Sequence, residues 1–98
     1  MYQTIQNSRQ HLRFEIDLGS VAKLDLGIDK PEFICHLHGL IINDSFGGCE
    51  LLVVTNQTLK PHRVFGIKFA GLGPFKARIV WVEKLEEHIF KLGVEYLD

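Results

Sequence analysis

The sequence predicts an all-β fold in which short antiparallel strands close, or nearly close, into a barrel. From Leu12 onward the apolar residues come in short runs broken by Gly, Pro, Asn and Asp, and they rarely recur at the three-and-four spacing of a helix. Two late runs alternate between apolar and polar positions, the period of a strand with one wet face. Half a dozen short strands in a 98-residue chain also leave edges that invite aggregation unless the sheet closes on itself.

Strands are expected at 12–18, 21–27, 32–42, 49–55, 63–69, 75–85 and 88–96, the first two readable as one bent strand. Turn chemistry marks the breaks: Gly19-Ser20, Asp29-Lys30-Pro31, Asp44 to Gly48, Asn56 to Pro61, and Gly71-Leu72-Gly73-Pro74. Within 75–85, Phe75, Ala77, Ile79, Trp81 and Glu83 share one parity, which assigns Trp81 to the core beside Ala77 and Ile79. Within 88–96, Phe90, Leu92, Val94 and Tyr96 form an apolar face opposite Ile89, Lys91, Gly93 and Glu95. The two runs read as an antiparallel hairpin. One domain is expected over 1–98, with 1–11 a flexible leader and 12–98 the barrel.

Composition narrows the function classes. Hydrophobic residues make up 46% of the chain against 23% charged, too apolar for disorder, yet no apolar run reaches the ~20 residues of a membrane helix. The opening MYQTIQNSRQ lacks the basic-then-apolar order of a secretion signal, so a cytoplasmic location and no membrane partner are expected. A net charge of -1 speaks against a basic binder of nucleic acid polymers, while leaving room for a local anion site. Cys35 and Cys49 show no metal or redox spacing and read as small buried hydrophobes. His36 and His38 would share one face of a regular strand with Cys35 on the other, which does not converge on a zinc set. The two histidines receive no role. No catalytic triad, Cys/His pair or carboxylate pair is recognisable, so no enzyme, metal centre or cofactor is expected.

Two motifs carry chemistry. Arg9 and Arg13 stand four apart where the leader meets the first strand. The guanidinium fork grips phosphate oxygens or the O6 and N7 acceptors of guanine, a match lysine cannot copy. After the 32–42 strand, Asn43 offers a carbonyl acceptor for guanine nitrogens and Ser45 a short hydroxyl donor for phosphate. Gly48 would take positive φ and let a ligand approach the backbone. Taken alone, the first motif is a common solvated arginine pair and the second an ordinary hairpin turn.

In order, however, Arg9-Gln10-His11-Leu12-Arg13 followed by Asn43-Asp44-Ser45-Phe46-Gly47-Gly48 resembles the PilZ domain family of bacterial cyclic di-GMP receptors. The closing stretches 77–83 and 92–97 are similar to that family's last two barrel strands, so the resemblance spans nearly the whole chain. It implies a six-stranded antiparallel β-barrel with a flexible N-terminal leader. By the same resemblance Arg9 and Arg13 swing onto the ligand's phosphates and guanine edges, and Asn43, Ser45 and Gly48 line the barrel beneath. Ser8, His11 and Gly47 would be accessory contacts. Relatives that bind two intercalated ligands often carry an arginine where this chain has Ser8, which favours one molecule and leaves stoichiometry open.

The expected function is therefore a cyclic di-GMP receptor that orders its arginine leader and signals to a downstream protein partner. The alternative is an interaction module on the same barrel with no nucleotide affinity. A third reading, a barrel for single-stranded nucleic acid, is disfavoured by the net charge and by the core position expected for Trp81.

Overall fold

Six strands and no helix form among residues 18–27 and 30–97, the part of the chain that the computed structural model describes. They are β1 (Val21–Asp25), β2 (Leu37–Ser45), β3 (Gly48–Val54), β4 (Val64–Phe69), β5 (Leu72–Glu86) and β6 (Ile89–Tyr96). Every neighbouring pair is antiparallel and the sheet closes into the expected six-stranded barrel, in the order β1-β2-β3-β6-β5-β4. The leader and all of the expected 12–18 strand except Leu18, which lies in a turn, fall outside the described residues, and Ser8, Arg9, His11 and Arg13 with them. No helix among the described residues is long and apolar enough to cross a membrane.

Alternation builds the interior. Leu24 of β1, Ile41 of β2, Leu51 and Val53 of β3, Phe65 and Ile67 of β4, Ile79 of β5 and Leu92 of β6 are fully enclosed. Tyr96 meets Phe69 edge to face with ring centroids 6.1 Å apart, a favoured aromatic geometry. The apolar parity expected for β6 holds: Leu92, Val94 and Tyr96 are buried and Phe90 packs against the core.

β2 departs from expectation at both ends. Its start moves from 32 to Leu37 because Asp25, 4% exposed, ties the preceding segment into a strap. The Asp25 carboxylate accepts the N–H of Gly27 (2.9 Å) and of Ile34 (2.8 Å) and receives Lys30 Nζ at 3.3 Å. His36 Nδ1 accepts the Leu26 N–H at 3.0 Å and lies 3.2 Å from Asp25 Oδ1. Such donors are what a buried carboxylate requires. His36 therefore anchors a strap instead of alternating with His38 along a strand. Cys35 also precedes β2, so it is exposed, and its Sγ lies 3.7 Å from His38 Nε2 instead of facing away. Cys49 is buried as expected.

At its other end β2 runs on through Asn43 to Ser45, which pairs with Gly48 across the tight turn Phe46-Gly47. Gly47, at φ +93°, supplies the left-handed residue of that turn.

Candidate functional site

Paired residues on neighbouring strands point to the same side of a sheet, so the register shows which side chains meet. Asn43 pairs with Glu50, Glu50 with Gly93, and Gly93 with Trp81, one row across β2, β3, β6 and β5. Cys49 and Leu51, which flank Glu50, are buried, so this row faces outward. The next row toward the hairpin is Ser45, Gly48, Glu95 and Arg78, in which Arg78 Nη2 donates to Glu95 Oε2.

Two inserted residues turn this row outward. Between Ile41 and Asn43 the β2–β3 register slips by one, with Ile42 as the extra residue, and between Ile79 and Trp81 the β5–β6 register slips at Val80. A bulge reverses the in-out sense of the strand residues beyond it. Ile41 and Ile79 face the core, whereas Asn43 is exposed and Trp81 half-buried on the outside. This corrects the core position expected for Trp81: past the bulge, Val82 packs against the core in its place. The indole occupies space that a Cβ at position 93 would need, so Gly93 seats the ring.

The result is an open groove of about 170 Å³, lined by Asn43, Ser45, Glu50, Val80, Trp81 and Gly93, with Cys49 and Val94 behind them. Asn43 Oδ1 accepts the Asp44 N–H at 2.9 Å, which leaves a lone pair and both amide hydrogens for another partner. Ser45 Oγ makes only a long 3.4 Å contact to the Gly48 carbonyl. No described lining residue is cationic. Burial, with lesser contributions from the charges of Asp44 and Glu50, pushes the Cys49 thiol up to about 11 despite a hydrogen bond with Tyr96, so it is no nucleophile at neutral pH.

Asn43 and Ser45 thus line one groove in company with Trp81 and Glu50. Gly48 has a different role from the one expected. It is buried, its φ is not positive, and a Cβ there would collide with the Val94 carbonyl oxygen. Its smallness serves the approach of β6, and the positive φ belongs to Gly47. The Gly47 carbonyl accepts the Tyr96 N–H at 2.7 Å, holding the hairpin against β6.

A larger crevice of about 260 Å³ lies between the 30–33 strap and β5, with Phe33, Phe75, Lys30 and Lys76 among its walls. Its buried acid, Asp25, is saturated by the strap's own donors, which marks it as structural. Among the described residues no three His, Cys, Asp or Glu side chains converge as a metal site.

Trp81, Glu50 and Gly93 escape a reading by motif alone. A glycine within an alternating strand signals close approach of another group, and Gly93 carried that signal. No protein-family model matches the chain, nor does any curated protein or solved structure.

Proposed function

We propose that the chain is a cytoplasmic cyclic di-GMP receptor of PilZ type that passes its signal to a protein partner. The observation that carries the reading is the outward row that places Asn43 and Ser45 in one groove with Trp81. The groove supplies polar atoms and an aromatic face but no described cation, and the missing charge is what Arg9 and Arg13 would bring.

Chain connectivity supports that supply. Gly19 N donates to Ile41 O at 2.7 Å and Ile41 N to Ser20 O at 2.9 Å, so the chain enters β1 beside the β2 bulge, two residues from Asn43. An extended chain covers at most about 3.6 Å per residue, so Arg13 falls within roughly 18 Å of Leu18 and Arg9 within roughly 32 Å. Both can reach the groove.

In the proposed complex the Trp81 indole stacks on a guanine, an interaction worth about 1–3 kcal/mol per base. The Asn43 carboxamide and Ser45 hydroxyl meet base and phosphate. Each arginine adds charge-assisted bonds of about 1.5–3 kcal/mol. Together these are of the order needed for micromolar affinity, about 8 kcal/mol, after ordering costs. Binding would organise the leader over the groove and change the surface offered to the partner.

Titration calorimetry with cyclic di-GMP tests the reading, with the emission of Trp81, the chain's single tryptophan, as a second signal. Binding should be saturable and should shift that emission, and Arg9→Ala and Arg13→Ala should each weaken affinity by about 1–3 kcal/mol. Absence of both heat and emission change would replace the receptor with the interaction module lacking nucleotide affinity.

A further inference from the structure

We propose that Glu50 sets the base selectivity of this groove, admitting guanine and turning adenine away. The inference rests on the receptor reading above and goes beyond the two motifs that suggested it. Glu50 sits at the centre of the outward row, with Asn43 on one side and Gly93 on the other. Gly93 contributes no side chain, so nothing in the row stands between the Glu50 carboxylate and the Trp81 indole. Among the described residues no cation or hydrogen-bond donor pairs with Glu50. An acid without a partner among the described residues, beside an aromatic face in the groove proposed for an anion, calls for a reason of its own.

Base chemistry supplies one. An ionised carboxylate only accepts hydrogen bonds and presents two oxygens side by side. Guanine's Watson–Crick edge presents two adjacent donors, the ring N1–H and the exocyclic amine, which match that pair. Adenine presents one donor and a ring lone pair on the same edge, and the lone pair would face a carboxylate oxygen without a proton between them. A base stacked on Trp81 with its edge toward β3 therefore meets a guanine-selective acceptor. An amide at position 50 would reverse the preference, because one acceptor and one donor complement adenine.

The experiment is calorimetric titration of the full chain with cyclic di-GMP and with cyclic di-AMP, for the parent, Glu50→Gln and Glu50→Ala. The parent should favour cyclic di-GMP. Glu50→Gln should lose at least about tenfold in affinity for cyclic di-GMP and gain affinity for cyclic di-AMP, and Glu50→Ala should bind the two nearly alike. All three proteins should melt together, since the carboxylate has no partner in the described fold. If both variants keep the parental preference, or Glu50→Gln tightens both nucleotides by one common factor, the carboxylate is only a charge near the phosphates and the inference is overturned. Failure of the parent to bind either nucleotide would instead bring down the receptor reading on which it rests.

Discussion

Substituting alanine at Gly48 and at Gly93 adds the same methyl group at two β3–β6 pairs, yet the surroundings call for unequal costs. At Gly48 the new Cβ would overlap the Val94 carbonyl oxygen, with Glu95 Cα and the Val94 carbonyl carbon 3.2 Å away. All of these are backbone atoms of β6, which is ladder-bonded to β3 on one side and β5 on the other, so they cannot rotate aside. Relief requires parting β3 from β6. Each ladder bond contributes about 0.5–1.5 kcal/mol and each buried group left unpaired costs about 1–3 kcal/mol, so one bond broken with two orphaned partners amounts to about 2.5–7.5 kcal/mol. At Gly93 the overlap is with the Trp81 indole, a half-buried side chain that can turn toward solvent. That costs about 1 kcal/mol of apolar burial. For a chain of this size 1 kcal/mol corresponds to about 4–8 °C in Tm. Gly48→Ala should therefore lower Tm by more than about 10 °C and Gly93→Ala by about 4–8 °C. Thermal unfolding followed by far-ultraviolet circular dichroism gives the first reading, and native Trp81 emission, red-shifted only in Gly93→Ala, the second. A Gly48→Ala protein that melts with the parent but no longer binds nucleotide would refute the packing argument and restore a ligand-contact role to Gly48.

Two further outcomes depend on the titrating groups. Burial pushes the Asp25 pKa up, but the N–H groups of Ile34 and Gly27 and the Lys30 ammonium outweigh it and hold the carboxyl below its ordinary value. A lowered pKa contributes stability above the unfolded-state value, and that stability is lost as pH falls through the folded one. Asp25→Asn should cost about 1–3 kcal/mol at neutral pH, with the gap to the parent narrowing in acid; urea midpoints that stay a constant distance apart would show that the carboxylate's charge is immaterial. Cys35 is exposed, and Cys49 is buried with a raised pKa, so a thiol reagent should label native protein at Cys35 alone and both sites after unfolding. Mass spectrometry of labelled Cys35→Ser decides it: rapid native labelling of that variant would mean Cys49 is accessible.

Much of the barrel was legible because β-strand patterning is local. The apolar parity of β6 comes from Phe90, Leu92, Val94 and Tyr96 without reference to any other strand, and the turn at Phe46-Gly47 from its glycine. What could not be read locally depends on partners distant in sequence. Asp25 gathers donors from Gly27, Lys30 and Ile34, and only their convergence explains why the apolar run beginning at Phe33 joins the sheet no earlier than Leu37. Gly48 looks like a turn glycine in sequence, because the Val94 carbonyl that excludes a side chain there lies on a strand more than forty residues later.

The bulges are the deepest case, and they tie the fold to the site. Unbroken alternation would place Asn43 on the side of Ile41 and Trp81 on the side of Ile79, both inside the barrel. Burying the Asn43 carboxamide there without partners would cost about 1–3 kcal/mol for each unpaired group. β3 and β6 alternate without interruption between these positions, with Cys49, Leu51, Leu92 and Val94 all inward. The correction therefore cannot spread through the sheet and must occur separately in β2 and in β5. It occurs in both, at Ile42 on one side of the row and at Val80 on the other, and it brings a carboxamide and an indole from opposite sides of a four-strand sheet onto one outer row. A single bulge would have left either the polar end or the aromatic end of the groove inside the core. The pair is what makes the groove, and between its polar and aromatic ends, next to the Gly93 on which the indole sits, is Glu50.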